Sequence, residues 1–431
     1  ASDVYKRQDF LGLKTLSELK EACKVVKQTT GHVIDLEKIP IDDELTYQLY
    51  QQGRTIGTFQ FESAGMQKYL RELKPTVFED LIAMNALYRP GPMDYIPSFI
   101  ARKNGREKIS YDIPCMEKYL KDTYGITVYQ EQVMLLSRQL ANFTRGESDA
   151  LRKAMGKKKK AIVDQMKPKF IKQGTENGHD PKVLEKIWGD WEKFASYAFN
   201  KAHAVSYAIV SYRTAYMKRN YPHEYMAALL TSVLDNTPKV TEYIAECREL
   251  GIRLLPPDIN ASRAEFTPVE GGIRFGLVGV RGVGKNVADE IIAEREANGP
   301  FTSLHDFVNR LDAKCYNRKT LEALIKGGAF DSTGYTRKQL MHFVEETPLL
   351  EGAAKRQKDR DAGQVSMFDM FADDADSGFQ EDVPAPDGVE WDKRTKLAYE
   401  KEIMKIYVSE HPLAPFEGTL RRICLLYTSD A

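Results

Sequence analysis

Apolar residues along the first two-thirds of the chain recur mainly at helical spacing, interrupted by short stretches of β character. Val205, Ile209, Tyr212 and Tyr216 follow one another at steps of four, three and four, which predicts one apolar face of an amphipathic helix. Pro222 then ends that helix and starts the next, His223 to Leu234. Earlier, Leu16 to Lys27 and Asp42 to Gln51 read as helices, and Gly53 to Phe61 as a turn and an extended stretch. Tyr124 to Tyr129 reads as a short strand leading into a helix through Val133, Leu136 and Leu140. Pro90, Gly91 and Pro92 exclude regular structure and leave a stiff loop. Phe266 to Val269, the turn Glu270-Gly271-Gly272 and Ile273 to Phe275 form a hairpin. The pattern predicts a mainly α multidomain chain with small β elements, an α+β class.

The 431 residues give room for several domains, and 42% are hydrophobic, enough to bury cores. No run approaches the roughly 18 apolar residues of a membrane span, and no signal peptide opens the chain, so it reads as soluble and cytoplasmic. Five well-separated cysteines, with no Cys-x-x-Cys pair, argue against a zinc site or a disulfide framework.

The formal net charge is +0, which excludes binding driven by overall charge but hides two opposed blocks. Residues 145–172 hold ten Lys/Arg against three Asp/Glu, and residues 358–392 two against eleven. The acidic stretch has the composition of an extended linker.

The two ends are related through the genetic code. CLLYTSDA at the C-terminus can be written in codons whose reverse complement encodes Ala-Ser-Asp-Val-Tyr-Lys-Arg, the N-terminal peptide. Residues 1–8 and 424–431 are therefore expected to be one adapter-like DNA element translated in opposite orientations, flanking a piece of a longer protein.

Five segments carry chemistry. SDALRKAMGKKKK, Ser148 to Lys160, is either a solvated helix face or, with Arg152, Lys153, Lys157 and Lys158, a cationic cluster for phosphate. FASYAFNKAHAVSY, Phe194 to Tyr207, sets aromatic residues beside Asn200, Lys201 and His203 just ahead of an apolar helix, where polar residues serve a cap or a ligand; Arg89 is a further cation on the stiff YRPGP loop. GVRGVGKN, Gly279 to Asn286, fits a phosphate loop, although Asn286 replaces the hydroxyl that would hold magnesium. It also fits a helix-hairpin-helix, in which Gly282 and Gly284 make the tight turn and helix N–H groups with Lys285 grip a DNA phosphate. NRKTLEALIKGGAFD, Asn317 to Asp331, reads as a second such unit, and the pair favours duplex binding. QVSMFDMF, Gln364 to Phe371, is an apolar island in the acidic linker, suited to docking in a partner's pocket.

Read in order, DFLGLKT, GTFQFES-x-GM, ALYRPGPM, YGITVYQEQVM, LRKAMGKK, FNKAHAVSYA, LLPPDIN and EKEIM-x-x-YVS-x-HPL resemble the α (polymerase) subunits of bacterial DNA polymerase III, the C-family of replicative polymerases. The resemblance implies a DNA-directed DNA polymerase with a palm like that of polymerase β and two-metal nucleotidyl transfer using Mg²⁺. It implies the end of the palm at 9–16, fingers at 17–255, a helix-hairpin-helix region at 256–350, the acidic linker at 351–392, and at 393–423 the lead into an oligonucleotide-binding domain. Asp9 would be the third metal-binding palm carboxylate and a catalytic residue. Arg152, Lys153, Lys157 and Lys158 would face the triphosphate and template, with Arg89, Lys201 and His203 in the same cleft. Gly282, Gly284 and Lys285 would hold primer-template DNA, and Gln364, Met367 and Phe368 would dock on the sliding clamp. Other replicase subunits are further implied partners. Most of the palm, the thumb and an N-terminal phosphatase-like domain lie upstream in the family, so this stretch alone is expected to lack activity. The sequence departs from the pattern at Lys405 and Glu410, where the family usually has Gly, and at Ala64. The competing reading is a non-catalytic, clamp-tethered DNA-binding accessory protein.

Overall fold

A computed structural model describes residues 13–156, 159–194, 199–313, 315–346, 349–361, 388–416 and 418–419. The chain divides into two compact units, Ala1–Lys20 with Val33–Pro222, and Glu21–His32 with His223–Ala431. No described helix is long and apolar enough to cross a membrane.

The first unit is helical: α1 (Lys14–Thr30, cut by the division), α2 (Glu44–Gln51), α3 (Ala64–Leu73), α4 (Phe78–Leu87), α5 (Ile96–Lys103), α6 (Glu117–Leu120), α7 (Gln130–Ala141), α8 (Arg145–Gly156), α9 (Lys160–Glu176), α10 (Pro181–Phe194) and α11 (Lys201–Asn220). Local chemistry sets several starts. The side chains of Asp43, Ser63 and Asn200 accept the N–H groups of Thr46, Met66 and His203, satisfying donors that a helix start leaves unpaired.

Two apolar cores form within this unit. One gathers Tyr50, Phe61, Leu81, Phe99, Tyr129 and Tyr212; the other surrounds Phe143, Phe170, Trp188 and Trp191. The chain enters the second core at Ile113 to Leu120, returns to the first at Ile126 to Tyr129, and re-enters the second along α7.

Helix α11 packs along α4 and α2, though not by the face its large apolar residues predict. Val205, Ile209 and Tyr216 are only half-buried, and the inner face is Ala204, Ala208, Ser211, Tyr212 and Ala215. Small side chains let two helix backbones approach, so close packing selects them over bulk. Lys218 on the same helix is buried at 1% exposure, and its Nζ donates to the carbonyls of Arg54 and Ile56 at 2.7 and 2.8 Å.

Three local expectations differ from the structure. Residues 53–61 form turns instead of an extended segment, because Gly57 and Gln60 adopt φ of +75° and +66°. Tyr124 to Tyr129 forms no strand: Tyr124 and Gly125 are left-handed, at φ +51° and +80°, and only Tyr129 makes a bridge, to Phe199. Pro92 does not merely break structure. It opens a 3-10 turn, Pro92–Tyr95, where its fixed φ and missing N–H cost nothing.

The second unit contains α12 (Pro222–Ser232), α13 (Thr237–Glu249), the strands β1 (Leu254–Leu255), β2 (Thr267–Val269) and β3 (Gly272–Arg274), then α14 (Lys285–Asn298), α15 (Leu304–Arg310), α16 (Arg318–Lys326), α17 (Arg337–Glu346), α18 (Leu349–Asp361) and α19 (Lys393–Met404). The predicted hairpin is β2–β3, with Val269 opposite Gly272, and β1 adds in parallel to give the order β1-β3-β2. The predicted restart at Pro222 is also present. The four cysteines among the described residues are free thiols.

Candidate nucleotide and nucleic-acid interface

In the first unit, segments far apart in sequence meet where α7 and α11 begin. The backbone N–H of Gln130 donates to the Phe199 carbonyl at 2.9 Å, joining the two helix starts. Glu131 completes the joint: its carboxylate accepts Asn200 Nδ2 at 2.8 Å and the Lys201 N–H at 2.9 Å. A carboxylate at a helix N-terminus is held by the N–H groups and the helix dipole together. Asn200 therefore takes the capping role, and Lys201 and His203 stand in the first turn of α11.

Around this joint lie three of the residues singled out from the sequence. The Arg89 guanidinium sits 4.0 Å over the Phe199 ring, with its Nε donating to the Ala86 carbonyl at 3.1 Å. Partial burial lowers the Arg89 pKa from its ordinary value, as expected for a cation partly withdrawn from water. Lys201 Nζ stands 5.4 Å from the centre of the buried Tyr129 ring. His203 is exposed, with its ring centre 4.1 Å from Tyr207 and 5.3 Å from Phe199. Phe59 extends the contact, 5.2 Å from Tyr207.

The basic segment approaches the same joint by its C-terminal end. A Cβ placed on Gly156 would lie 3.3 Å from Gln130 Nε2, so the last turn of α8 abuts the start of α7. Arg152 and Lys153, one turn earlier, both pair with Asp149, at 2.8 and 2.7 Å. Lys153 and then Arg152 hold the Asp149 carboxyl below its usual range. Lys157 and Lys158 lie outside the described residues, as do Asp9 and the docking residues Gln364, Met367 and Phe368.

In the second unit, a 3-10 turn, Leu277–Gly279, leads into the turn ending at Gly284, the N-cap of α14. No strand runs directly into this loop, so it lacks the strand-loop-helix form of a phosphate loop. Val280 and Val283 are buried while Gly282 and Gly284 face open space, with nothing within 4 Å of an added Cβ at either. Gly282 has φ +86°, a conformation that favours glycine. No side chain caps α14, and a phosphate can reach its first turn. Lys285 Nζ meets Glu265 Oε1 at 3.2 Å, and that carboxylate raises the lysine pKa.

The second glycine turn has a different role. A Cβ on Gly328 would stand 2.3 Å from Arg337 Nη2, and Arg337 is buried against Asp331 and Glu400. This turn is an internal packing joint, so the sequence expectation of two phosphate-gripping units reduces to one open hairpin.

Residues 15–178 match the bacterial DNA polymerase III alpha subunit finger domain, and residues 251–340 match the helix-hairpin-helix motif. Over nearly its whole length the chain is similar to bacterial DNA polymerase III alpha subunits. It is 42% identical over 426 residues to the DNA polymerase III subunit alpha of Chlamydia pneumoniae, covering 98% of this chain and 34% of that protein. The same subunit of Thermus aquaticus is 43% identical over 417 residues, covering 96% of this chain and 33% of that protein. The chain thus spans about a third of the length of the curated relatives it matches.

Sequence reasoning missed Glu131, which orients both polar helix starts, and Phe59, which reaches Tyr207 from a separate loop. An acidic residue in the first turn of α7 is a signal for the former. Nothing local marks the latter, because its partner is distant in sequence.

Proposed function

We propose that the chain supplies the fingers and a duplex grip of a bacterial replicative DNA polymerase, positioning a deoxynucleoside triphosphate and primer-template DNA in the cytoplasm. The observation that carries this reading is the meeting of Arg89, Lys201 and His203 with the end of α8 at the Tyr129–Glu131 joint. Cations fixed by ring faces and helix ends suit a polyphosphate, because their orientation is set before the ligand arrives. Lys285 and the open glycine turn would hold a duplex phosphate without reading sequence.

Magnesium, the metal this reading carries, would stabilise charge on the reacting phosphate when bound. Asp9, its proposed ligand here, lies outside the described residues, and among the described residues no three His, Cys, Asp or Glu side chains gather as a metal site. In this reading the share of the described part is to bind and orient. Gln364, Met367 and Phe368 would dock on the sliding clamp, and the remaining replicase subunits would complete the assembly.

The test measures binding of labelled primed duplex by the 431-residue chain, together with Mg²⁺-dependent primer extension. Duplex binding that weakens in Lys285→Ala, with no extension, is expected. Extension by this chain alone, or duplex binding indifferent to Lys285, would overturn the reading. Met367→Ala with Phe368→Ala should weaken clamp binding and leave duplex binding intact.

A further inference from the structure

Within the second unit, the 3-10 turn Leu277–Gly279, the start of α13 and the end of α19 enclose a pocket of about 280 Å³. Its floor is apolar, formed by Leu234, Val240, Phe275, Val278 and Met404. Gly279 lets the turn lie directly on that floor, since a Cβ there would stand 2.5 Å from the Phe275 ring and 3.3 Å from Leu234. The walls are joined to each other: the Arg281 N–H donates to the Ile403 carbonyl at 3.3 Å. The lining also holds two exposed cations, Arg281 and Lys405, and one acid, Asp235. Among the described residues neither cation has a carboxylate partner, whereas Lys285, Arg310, Arg337 and Lys393 each hold one. Lys405 also stands at φ +65°, a left-handed helix cap where a side chain is strained. Strain kept at a residue that gains no partner within the chain is a mark of a site.

We propose that this pocket docks an acidic peptide of a partner protein, with one large apolar side chain on the floor and neighbouring carboxylates at Arg281 and Lys405. The proposal does not depend on the duplex grip or on the clamp-docking segment. Size excludes the alternatives first. The pocket falls below the roughly 300–1,000 Å³ of clefts that take drug-sized ligands, so a nucleotide is too large while one or two side chains fit. Chemistry then narrows the class. A nucleic-acid backbone would use the cations and leave the apolar floor bare, and a neutral apolar peptide would leave two cations without anions. The floor is buried and the cations are exposed, a division that a peptide matches when one residue points inward and its neighbours stay at the surface. The inward side chain supplies most of the affinity, and the charges supply selection and speed of encounter. Because the walls are already joined, little ordering is needed on binding.

The experiment measures anisotropy of a labelled peptide with one Phe between pairs of Asp, mixed with the full chain over a salt series. Two control peptides carry Ser for Phe, or Lys for Asp. The parent should bind the first peptide about ten- to a hundred-fold more tightly than the Ser control, the range for burying one large apolar side chain. It should not bind the Lys control. Arg281→Ala and Lys405→Gly should each weaken the acidic peptide by about two- to five-fold and flatten its salt dependence. Lys405→Gly also relieves the strained cap, so a loss of folding does not account for its effect. Labelled duplex should bind Lys405→Gly as it binds the parent. Equal affinity for the Phe and Ser peptides would overturn the pocket, as would affinities indifferent to both cations or equal for the acidic and Lys peptides. Duplex binding lost in Lys405→Gly with peptide binding intact would give that cation to DNA and sink the proposal. Tighter peptide binding by Met367→Ser with Phe368→Ser would show that the chain's own apolar island fills the pocket. A dimer of the chain that the peptide dissociates would give the pocket to a second copy, and either of these two results overturns the partner.

Discussion

Arg337 and Glu400 give the sharpest stability prediction. Arg337 is 2% exposed and Glu400 0%, with Nη1 to Oε1 at 3.2 Å, while Nη2 and Nε reach Asp331 at 2.8 and 3.0 Å. The second Glu400 oxygen accepts the N–H groups of Val408 and Ser409 at 3.2 and 3.0 Å, and the Ser409 hydroxyl reaches the first. One buried carboxylate thus joins α17, α19 and the segment after α19. Glu400→Ala removes the partner of a buried cation and the acceptor of two N–H groups. Breaking one side of a buried pair costs about 3–5 kcal/mol. Asp331 still faces Arg337 from a side chain 42% exposed, so the cost should fall near the lower bound, about 3 kcal/mol. Glu400→Gln keeps an acceptor and should cost roughly half as much, about 1–2 kcal/mol. Asp331→Asn, on the solvent side, should cost below about 1 kcal/mol. Amide hydrogen exchange across α17 and α19 reads these as opening free energies. A Glu400→Ala protein within about 1 kcal/mol of the parent, or one no worse than Asp331→Asn, would refute the argument that burial sets the magnitude.

Glu147 should make the first unit acid-sensitive, because Lys169 and then the Thr144 N–H pull its carboxyl down to about 2. A depressed folded pKa contributes stability that is present above the unfolded value, about 4.3, and is lost as pH falls toward 2. The gap in melting temperature between the parent and Glu147→Gln should close over that window, and a gap constant with pH would contradict it. Lys405→Gly should raise stability by about 1 kcal/mol, because Lys405 caps α19 at φ +65°, where a side chain is strained. Urea unfolding tests this, and a loss of stability would show the lysine side chain to matter more than its backbone. Glu265→Gln should strengthen duplex binding a few-fold by releasing Lys285, and should do nothing in a Lys285→Ala background; an equal effect in both backgrounds would exclude the ion pair as the cause.

Helices with strong local signals were legible from sequence. The entry at Pro222, the hairpin at Gly271 and Gly272, and the helix following Gly284 all depend on chemistry within a few residues. The inner face of α11 was not legible, because the large residues set the pattern while close approach to α4 selected Ala204, Ala208 and Ala215. Residues 53–61 misled for a related reason. The buried Lys218 ammonium draws the carbonyls of Arg54 and Ile56 inward, and those contacts are set from 164 and 162 positions away. At the site, the residue types of FNKAH and YRPGP were legible. The Glu131 bond, and the sharing of Phe199 between Arg89 and His203, depend on how α7 meets α11. The departure at Lys405 marked a position whose left-handed backbone conformation suits glycine.

The cations singled out above face different competition, and this separates their behaviour toward a polyanion. Arg152 and Lys153 share Asp149, Lys285 holds Glu265 and Arg318 holds Glu322, so a phosphate must displace a carboxylate to reach any of them. Such exposed pairs are worth about 0–1 kcal/mol, less than a charge-assisted phosphate contact, so exchange is favourable but small in net yield. It is also cut by added salt, which screens the phosphate and the carboxylate alike. Lys201 Nζ stands near the Tyr129 ring, which orients a cation without neutralising it. A phosphate arriving there meets more of the full charge. Phosphate binding at Lys201 should therefore persist at ionic strengths where Lys285 has released its duplex, and the two should separate along a salt titration.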